Sequence, residues 1–170
     1  MLKWTLGALA ALGLAAAARA EEKINDELFI QKAASCNKFE IDSSNLALQR
    51  ATNANVRKFA QMMVDDHMKC GEEFKALLQR KGVQPPEGLS EKARQKVADL
   101  SKLSGNDFDQ KYWKYQIDAH EEAVKLFQQA ATQVKDSDLR AFAEKTLPKL
   151  QEHQAHLRKM SVGGVGGRDR

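Results

Sequence analysis

The stretch VRKFAQMMVDDHMKCGEEFKAL, residues 56–77, decides the fold. Val56, Ala60, Met63, His67, Cys70, Phe74 and Leu77 step along it by four and three residues without a break. That is the inward stripe of a long amphipathic helix packed against other helices. One member of the stripe is polar: His67 sits in the middle of the apolar face, with Asp65 and Asp66 just before it.

Working outward, the same pattern recurs on three other segments. A first helix begins at Asn25 or Asp26, either of which can cap it, and runs to about Ala51 with Phe29, Ala33, Cys36, Glu40 and Ala47 on one face. Glu40 is one heptad from each of two alanines and points where they point. The turn Thr52-Asn53-Ala54-Asn55 follows, with Asn55 as the expected cap of the second helix. Gly82, Pro85 and Pro86 end that helix. A short charged helix over 90–103, with Ala93, Val97 and Leu100 inward, reads as a crossover packed on the bundle. A third long helix over 107–134 carries Trp113, Ile117, His120, Val124, Phe127, Ala131 and Val134 on its stripe. A fourth carries Leu139, Phe142, Thr146, Leu150, His153, Leu157 and Met160, with a kink expected at Pro148. The fold class is therefore all-α: a four-helix bundle with an extra short crossover helix between helices 2 and 3.

Residues 1–20 read as a secretory signal: Lys3 supplies the positive end, Leu6 to Ala18 the apolar run, and Ala18-Arg19-Ala20 the cleavage site. The run is shorter than the about 20 apolar residues that span a bilayer. The expected organisation is a signal peptide at 1–20, a bundle domain at 21–160 and a Gly-rich flexible tail at 161–170, exported to a bacterial periplasm. Formal charge is +4; loss of Lys3 and Arg19 leaves +2, with signs interspersed. Such a balance offers no electrostatic footprint for nucleic acid, and no membrane span is expected once the signal is removed. Nucleophile–base pairs, phosphate loops and dinucleotide fingerprints are missing from the sequence.

The polar intruders meet. Glu40 lies 13 residues before the first turn at Asn53 and His67 lies 14 after it; His120 and His153 are equidistant from the second turn, between Asp136 and Ser137. At about 1.5 Å rise per residue, antiparallel helices bring Glu40, His67, His120 and His153 toward one layer. A buried ionised carboxylate must be paired or neutralised. Three imidazoles and one carboxylate can satisfy one another, or bind one divalent transition metal such as Zn, Cu or Fe. The Glu-x-x-His pairs of di-iron bundles are absent, because Val64, Ile117 and Leu150 stand three before the core histidines. A mononuclear site is the most these residues support, with Asp66, Asp118 and Glu121 as outer partners of the ligands. His156, at the edge of the stripe, reads as a surface residue. Cys36 and Cys70 each lie 17 residues from Asn53. In an exported protein this suggests a disulfide, with a thiolate pair joining the metal site as the alternative. Tyr112, Trp113 and Tyr115, with Phe108, are expected to cover the bundle end beneath the crossover helix.

Phe29-Ile30-Gln31-Lys32-Ala33-Ala34, Glu40, and Val56 through Phe59-Ala60-Gln61-Met62-Met63-Val64-Asp65-Asp66-His67 resemble the bacterial family called domain of unknown function 4142. Ser104-Gly105, Phe108-Asp109, Tyr112, His120-Glu121, Leu126-Phe127 and Leu147-Pro148 through His153 continue the match over nearly all of the mature chain. The resemblance implies export and a ferritin-like helical bundle. It also implies Glu40, Asp66, His67, His120 and His153 as a shared polar set, and no established reaction. Relatives are often labelled predicted outer-membrane proteins, yet nothing in this chain can form a barrel. The chain departs from the pattern in having Cys36 and Cys70 where relatives tend to have Gly and a small residue, and Ala119 where an acidic residue often stands.

Three functional readings follow. The first is a protein that binds one transition-metal ion in envelope stress or metal handling. The second is a structural or interaction module whose polar layer sets helix register without metal. The third, metal-dependent oxidoreductase chemistry, is disfavoured by the missing di-iron pattern. No protein partner can be read from the sequence.

Overall fold

The computed structural model describes residues 23–162, with side-chain surroundings through Met160. The signal segment at 1–20 and the tail beyond Val162 lie outside the described residues. The described chain is helical: α1 (Asp26–Arg50), α2 (Ala54–Arg80), α3 (Glu91–Ser101), α4 (Gly105–Gln133) and α5 (Ser137–Val162). α1 packs on α2 and α4, and α5 packs on α4 and α2, closing a four-helix bundle; α3 lies across α1 and α4. This is a bundle with one long crossover, the connectivity of ferritin-like folds. Among the described residues, no helix is long and apolar enough to cross a membrane.

Polar contacts at the two ends fix the directions. At one end, buried Asp109 near the start of α4 reaches the α1–α2 turn. It accepts from the Thr52 and Asn53 backbone N–H groups (3.2 and 2.8 Å) and from Thr52 Oγ1 (2.8 Å). At the other end, Asp26 Oδ1 accepts from the N–H of Lys135 (2.8 Å), and Lys81 Nζ pairs with Asp136 at 2.7 Å. α2 and α4 therefore run parallel, each antiparallel to its hairpin partner.

The helix caps resolve what the sequence left open. Asn25 caps α1 by accepting from the Leu28 N–H at 2.8 Å, which leaves Asp26 free for the far turn. Asn53, not Asn55, caps α2: its Oδ1 accepts from the N–H groups of Asn55 and Val56. An asparagine two residues earlier suffices because a cap needs only its side-chain oxygen over the first orphan N–H groups. Gly82 takes the left-handed φ of 68° that ends α2. α5 runs unbroken through Pro148 and carries Ser161 and Val162, two residues past where the tail was expected.

The apolar core falls into two clusters. Phe29, Phe74, Phe127 and Phe142 lead one, nearer the start of α1. Phe59, Met63, Phe108, Tyr112, Trp113 and Leu157 lead the other, with Leu100 of α3 closing over them as expected. Phe74 and Phe142 stack at 4.7 Å and Phe59 meets Trp113 edge-on at 5.2 Å. Between the clusters lies a buried polar layer.

Candidate metal centre

The layer draws on all four long helices. α1 gives Glu40, Ser43 and Ser44; α2 gives His67; α4 gives Gln116 and His120; α5 gives His153, all buried. The helical stripe aims each of these inward, and the two apolar clusters lie on either side of the layer. The three imidazoles form one group: His67–His120, His67–His153 and His120–His153 ring centroids are 6.0, 5.6 and 5.4 Å apart.

Each ring is tethered through one nitrogen. His67 Nδ1 bonds Asn37 Oδ1 at 3.1 Å, His120 Nδ1 bonds the Gln116 carbonyl oxygen at 3.0 Å, and His153 Nε2 bonds Asp66 Oδ2 at 2.9 Å. The other nitrogen of each ring, His67 Nε2, His120 Nε2 and His153 Nδ1, is buried without a partner. One donor atom from each of the three lies within 4.8 Å of the other two. Nitrogens about 2.0–2.1 Å from a shared ion stand no more than ~4.2 Å apart, so the spread is within about an ångström of what one ion requires.

The electrostatics suit ligation. Burial and the mutual proximity of the rings hold His67 well below the ordinary imidazole range. Burial, then the charge of His153, holds His120 down to about 4. His153 is also lowered by burial, with Asp66 opposing. All three rings are thus neutral near pH 7, the state a metal takes without first displacing a proton. The Asp66–His153 pair is the carboxylate–histidine arrangement that orients a ligating ring and raises its basicity.

The residues expected to share the site divide. Glu40 is in the layer but outside the converging group. Its Oε1 stands 3.8 Å from His120 Nδ1, the nitrogen already bonded to Gln116, and burial pushes its carboxyl up to about 8. Of the four residues expected at the site, the three histidines form the converging group and Glu40 stands beside it. Of the outer partners, Asp66 is in place. Asp118 instead pairs with Lys114 at 3.0 Å one turn away, and Glu121 is exposed. Each lies close to His120 in sequence, but an inward ring and its immediate neighbours diverge around the helix. His156 is exposed, as expected, against Met160 Sδ. Cys36 and Cys70 are free thiols in this structure, not a bridge.

Asn37, Gln116, Ser43 and Ser44 were not signalled by the sequence. Gln116 Nε2 donates to Ser43 Oγ at 3.1 Å, and Ser44 Oγ and Tyr112 Oη share a hydrogen bond of 2.9 Å. Ser43 and Ser44 lie three and four residues after Glu40 and so fill the step of the α1 stripe between Glu40 and Ala47, where only their small polar side chains kept them from being counted as core. Gln116 lies three residues after Trp113 and four before His120, so it fits the stripe as well as Ile117 does, and the structure buries Gln116 in its place.

Fold and site together define an all-helical bundle protein with a buried cluster of three neutral imidazoles. The chain belongs to the family described as domain of unknown function DUF4142, whose model matches residues 11–160. No curated protein matches the sequence. Among solved structures it is similar to CopM in the Cu(II)-bound form, at 17% identity, TM-score 0.69, over 84% of this chain and 99% of that one. CopM in the Cu(I)-bound form aligns at 18% identity, TM-score 0.66, over 79% of this chain and 94% of that one. A DUF305 fragment from Deinococcus radiodurans aligns at 20% identity, TM-score 0.69, over 81% and 93%. At these identities the likeness establishes the fold.

Proposed function

We propose that this chain is an exported metal-binding protein that holds one transition-metal ion, copper before zinc or iron, on His67, His120 and His153. The observation that carries the reading is the set of three buried neutral imidazoles, each tethered by one nitrogen and leaving the other unpartnered. A polar layer built only to set register satisfies its own members, since a buried unpaired nitrogen costs about 1–3 kcal/mol. Here Glu40 Oε2 and Gln116 Oε1 are also unpartnered. A bound ion would satisfy all three ring nitrogens at once. Imidazole suits copper, zinc and iron, and the copper-bound forms of the CopM fold weight the choice toward copper. The leader-like residues 1–20 support export, and the periplasm is the compartment we assign.

The chain's own residues do three things in this reading. Asn37, the Gln116 carbonyl and Asp66 set ring orientation; the apolar clusters on either side exclude water; the neutral rings accept the ion. The role is holding and handling metal in the cell envelope. Elemental analysis of tag-free protein from its native compartment tests it. The expected result is stoichiometric metal, lost in His120→Ala, with added copper or zinc raising the Tm of apo protein. At 100-fold excess over Kd, the stabilisation is about 2.7 kcal/mol. Metal-free native protein whose Tm neither copper nor zinc moves would leave the register-setting layer as the function of these histidines.

A further inference from the structure

The imidazoles do not use the whole of their surroundings. A cavity of about 20 Å³, room for one water or one ion, is lined by His67 and His120 and also by Glu40, Cys36 and Cys70. Cys36 comes from α1 and Cys70 from α2, and the residues that follow them are in close approach. A Cβ placed on Gly71 would sit 2.7 Å from Asn37 Nδ2. The two thiols therefore face one space across a tight helix pair. They keep partial solvent exposure, whereas the three imidazoles have almost none. Cys36 and Glu40 also wall a second cavity beneath α3, lined by Ala93 and Lys96. Cys36 thus borders both cavities. Glu40, 4% exposed, brings an unpartnered Oε2 to the same space.

We propose that Cys36 and Cys70 form a second metal position in this cavity, adjoining the three imidazoles, for a soft monovalent ion of the Cu(I) or Ag(I) type. Thiolate sulfur selects soft ions, while carboxylate and water select hard ones. Two sulfurs on opposite helices match the low coordination number such ions accept. Each metal–sulfur bond displaces one thiol proton, so a bis-thiolate complex releases two protons and carries one net negative charge. Burial, then the charges of Glu40 and Glu122, pushes the Cys36 thiol up to about 12, and burial, then Glu73, pushes Cys70 up to about 11, with Lys96 and Lys145 opposing only in part. Both groups are therefore thiols until the ion displaces their protons. This inference rests on the reading of the imidazoles as a metal site, and it specifies the oxidation state of the ion that is delivered there.

Mature full-length protein, reduced and handled without oxygen, is titrated with Ag(I), which is soft and does not cycle between oxidation states. Zn(II) is used in parallel as the probe of the imidazoles. The expected result is two silver equivalents for the wild type and one for Cys36→Ala/Cys70→Ala, with zinc binding unchanged in that variant. Silver loading should slow alkylation of both thiols at least tenfold. Conversely, His67→Ala/His120→Ala should lose zinc yet keep one silver equivalent on the thiols. Circular dichroism confirms that each variant folds. The proposal is overturned if the double-cysteine variant binds as much silver as the wild type, or if silver leaves the alkylation rate unchanged. It is also overturned if protein isolated from its native compartment carries a Cys36–Cys70 disulfide. Loss of the imidazole site shows separately, as zinc binding that the double-histidine variant does not alter.

Discussion

Gly71→Ala separates the positioning of a metal ligand from the stability of the helix that carries it. Gly71 lies inside α2, and an added Cβ would meet Asn37 Nδ2 at 2.7 Å, closer than side chains tolerate. The obstacle is the end of a flexible side chain, so Asn37 swings away rather than α1. Its Oδ1 then leaves His67 Nδ1, now 3.1 Å away. Two effects on stability oppose each other. Replacing a mid-helix glycine by alanine gains about 1 kcal/mol. Losing the Asn37–His67 bond costs ~1 kcal/mol, rising toward ~3 if the buried nitrogen finds no new partner. The net change is a destabilisation of no more than ~2 kcal/mol, a fall in apo Tm of up to about 8 °C at ~4 °C per kcal/mol. Metal affinity responds differently, because removing the group that orients a ligating histidine typically costs 10–100-fold. Apo stability is read by urea denaturation and copper affinity by competition with a chromogenic chelator. A variant that gains the full 1 kcal/mol with unchanged affinity would refute the claim that Asn37 holds His67 in its ligating orientation.

Other outcomes follow from the same layer. Glu40 is held up at about 8 against 4.5 in the unfolded chain, so its ionisation opposes folding. Apo stability should fall by about 1.4 kcal/mol per unit as pH rises from 4.5 to 8. The three imidazoles lie below 6.5, so unfolding takes up protons there and stability is lost as pH falls below 6.5. The sum places maximum apo stability near pH 6.5, and Glu40→Gln should flatten the limb above pH 6.5 and steepen the limb between 4.5 and 6.5; a pH-independent difference between wild type and variant would contradict this. His67→Leu removes a buried unpartnered nitrogen and leaves Asn37 to solvent, so apo stability should rise by ~1 kcal/mol while copper no longer raises the Tm. A large destabilisation instead would mean that the ring is already satisfied without metal. Asp109→Ala should cost ~3 kcal/mol in chemical denaturation, since a charged acceptor of hydrogen bonds from the α1–α2 turn is lost, with metal affinity unchanged. A loss below ~1 kcal/mol would show that the turn holds without it.

The four-and-three spacing of residues 56–77 and its echoes on three other segments determined the bundle. Helix periodicity is a local property, readable wherever apolar side chains recur on one face. Counting from the two turns also placed Glu40, His67, His120 and His153 at one height, because antiparallel helices rise at equal rates. Rotation about each helix axis is not local, and there the linear reading stopped. Only packing decided that Glu40 faces the tethered side of His120, that Asp118 turns outward to Lys114, and that Asn37 rather than a carboxylate holds His67. Likewise Asn53 and Asn55 were equivalent as letters, and the turn that Asp109 grips from 56 residues away lets Asn53 take the cap. The sequence by itself settled which residue types enter the core; which nitrogen of each ring is left unpartnered belongs to the tertiary structure, because every tether but one comes from a different helix.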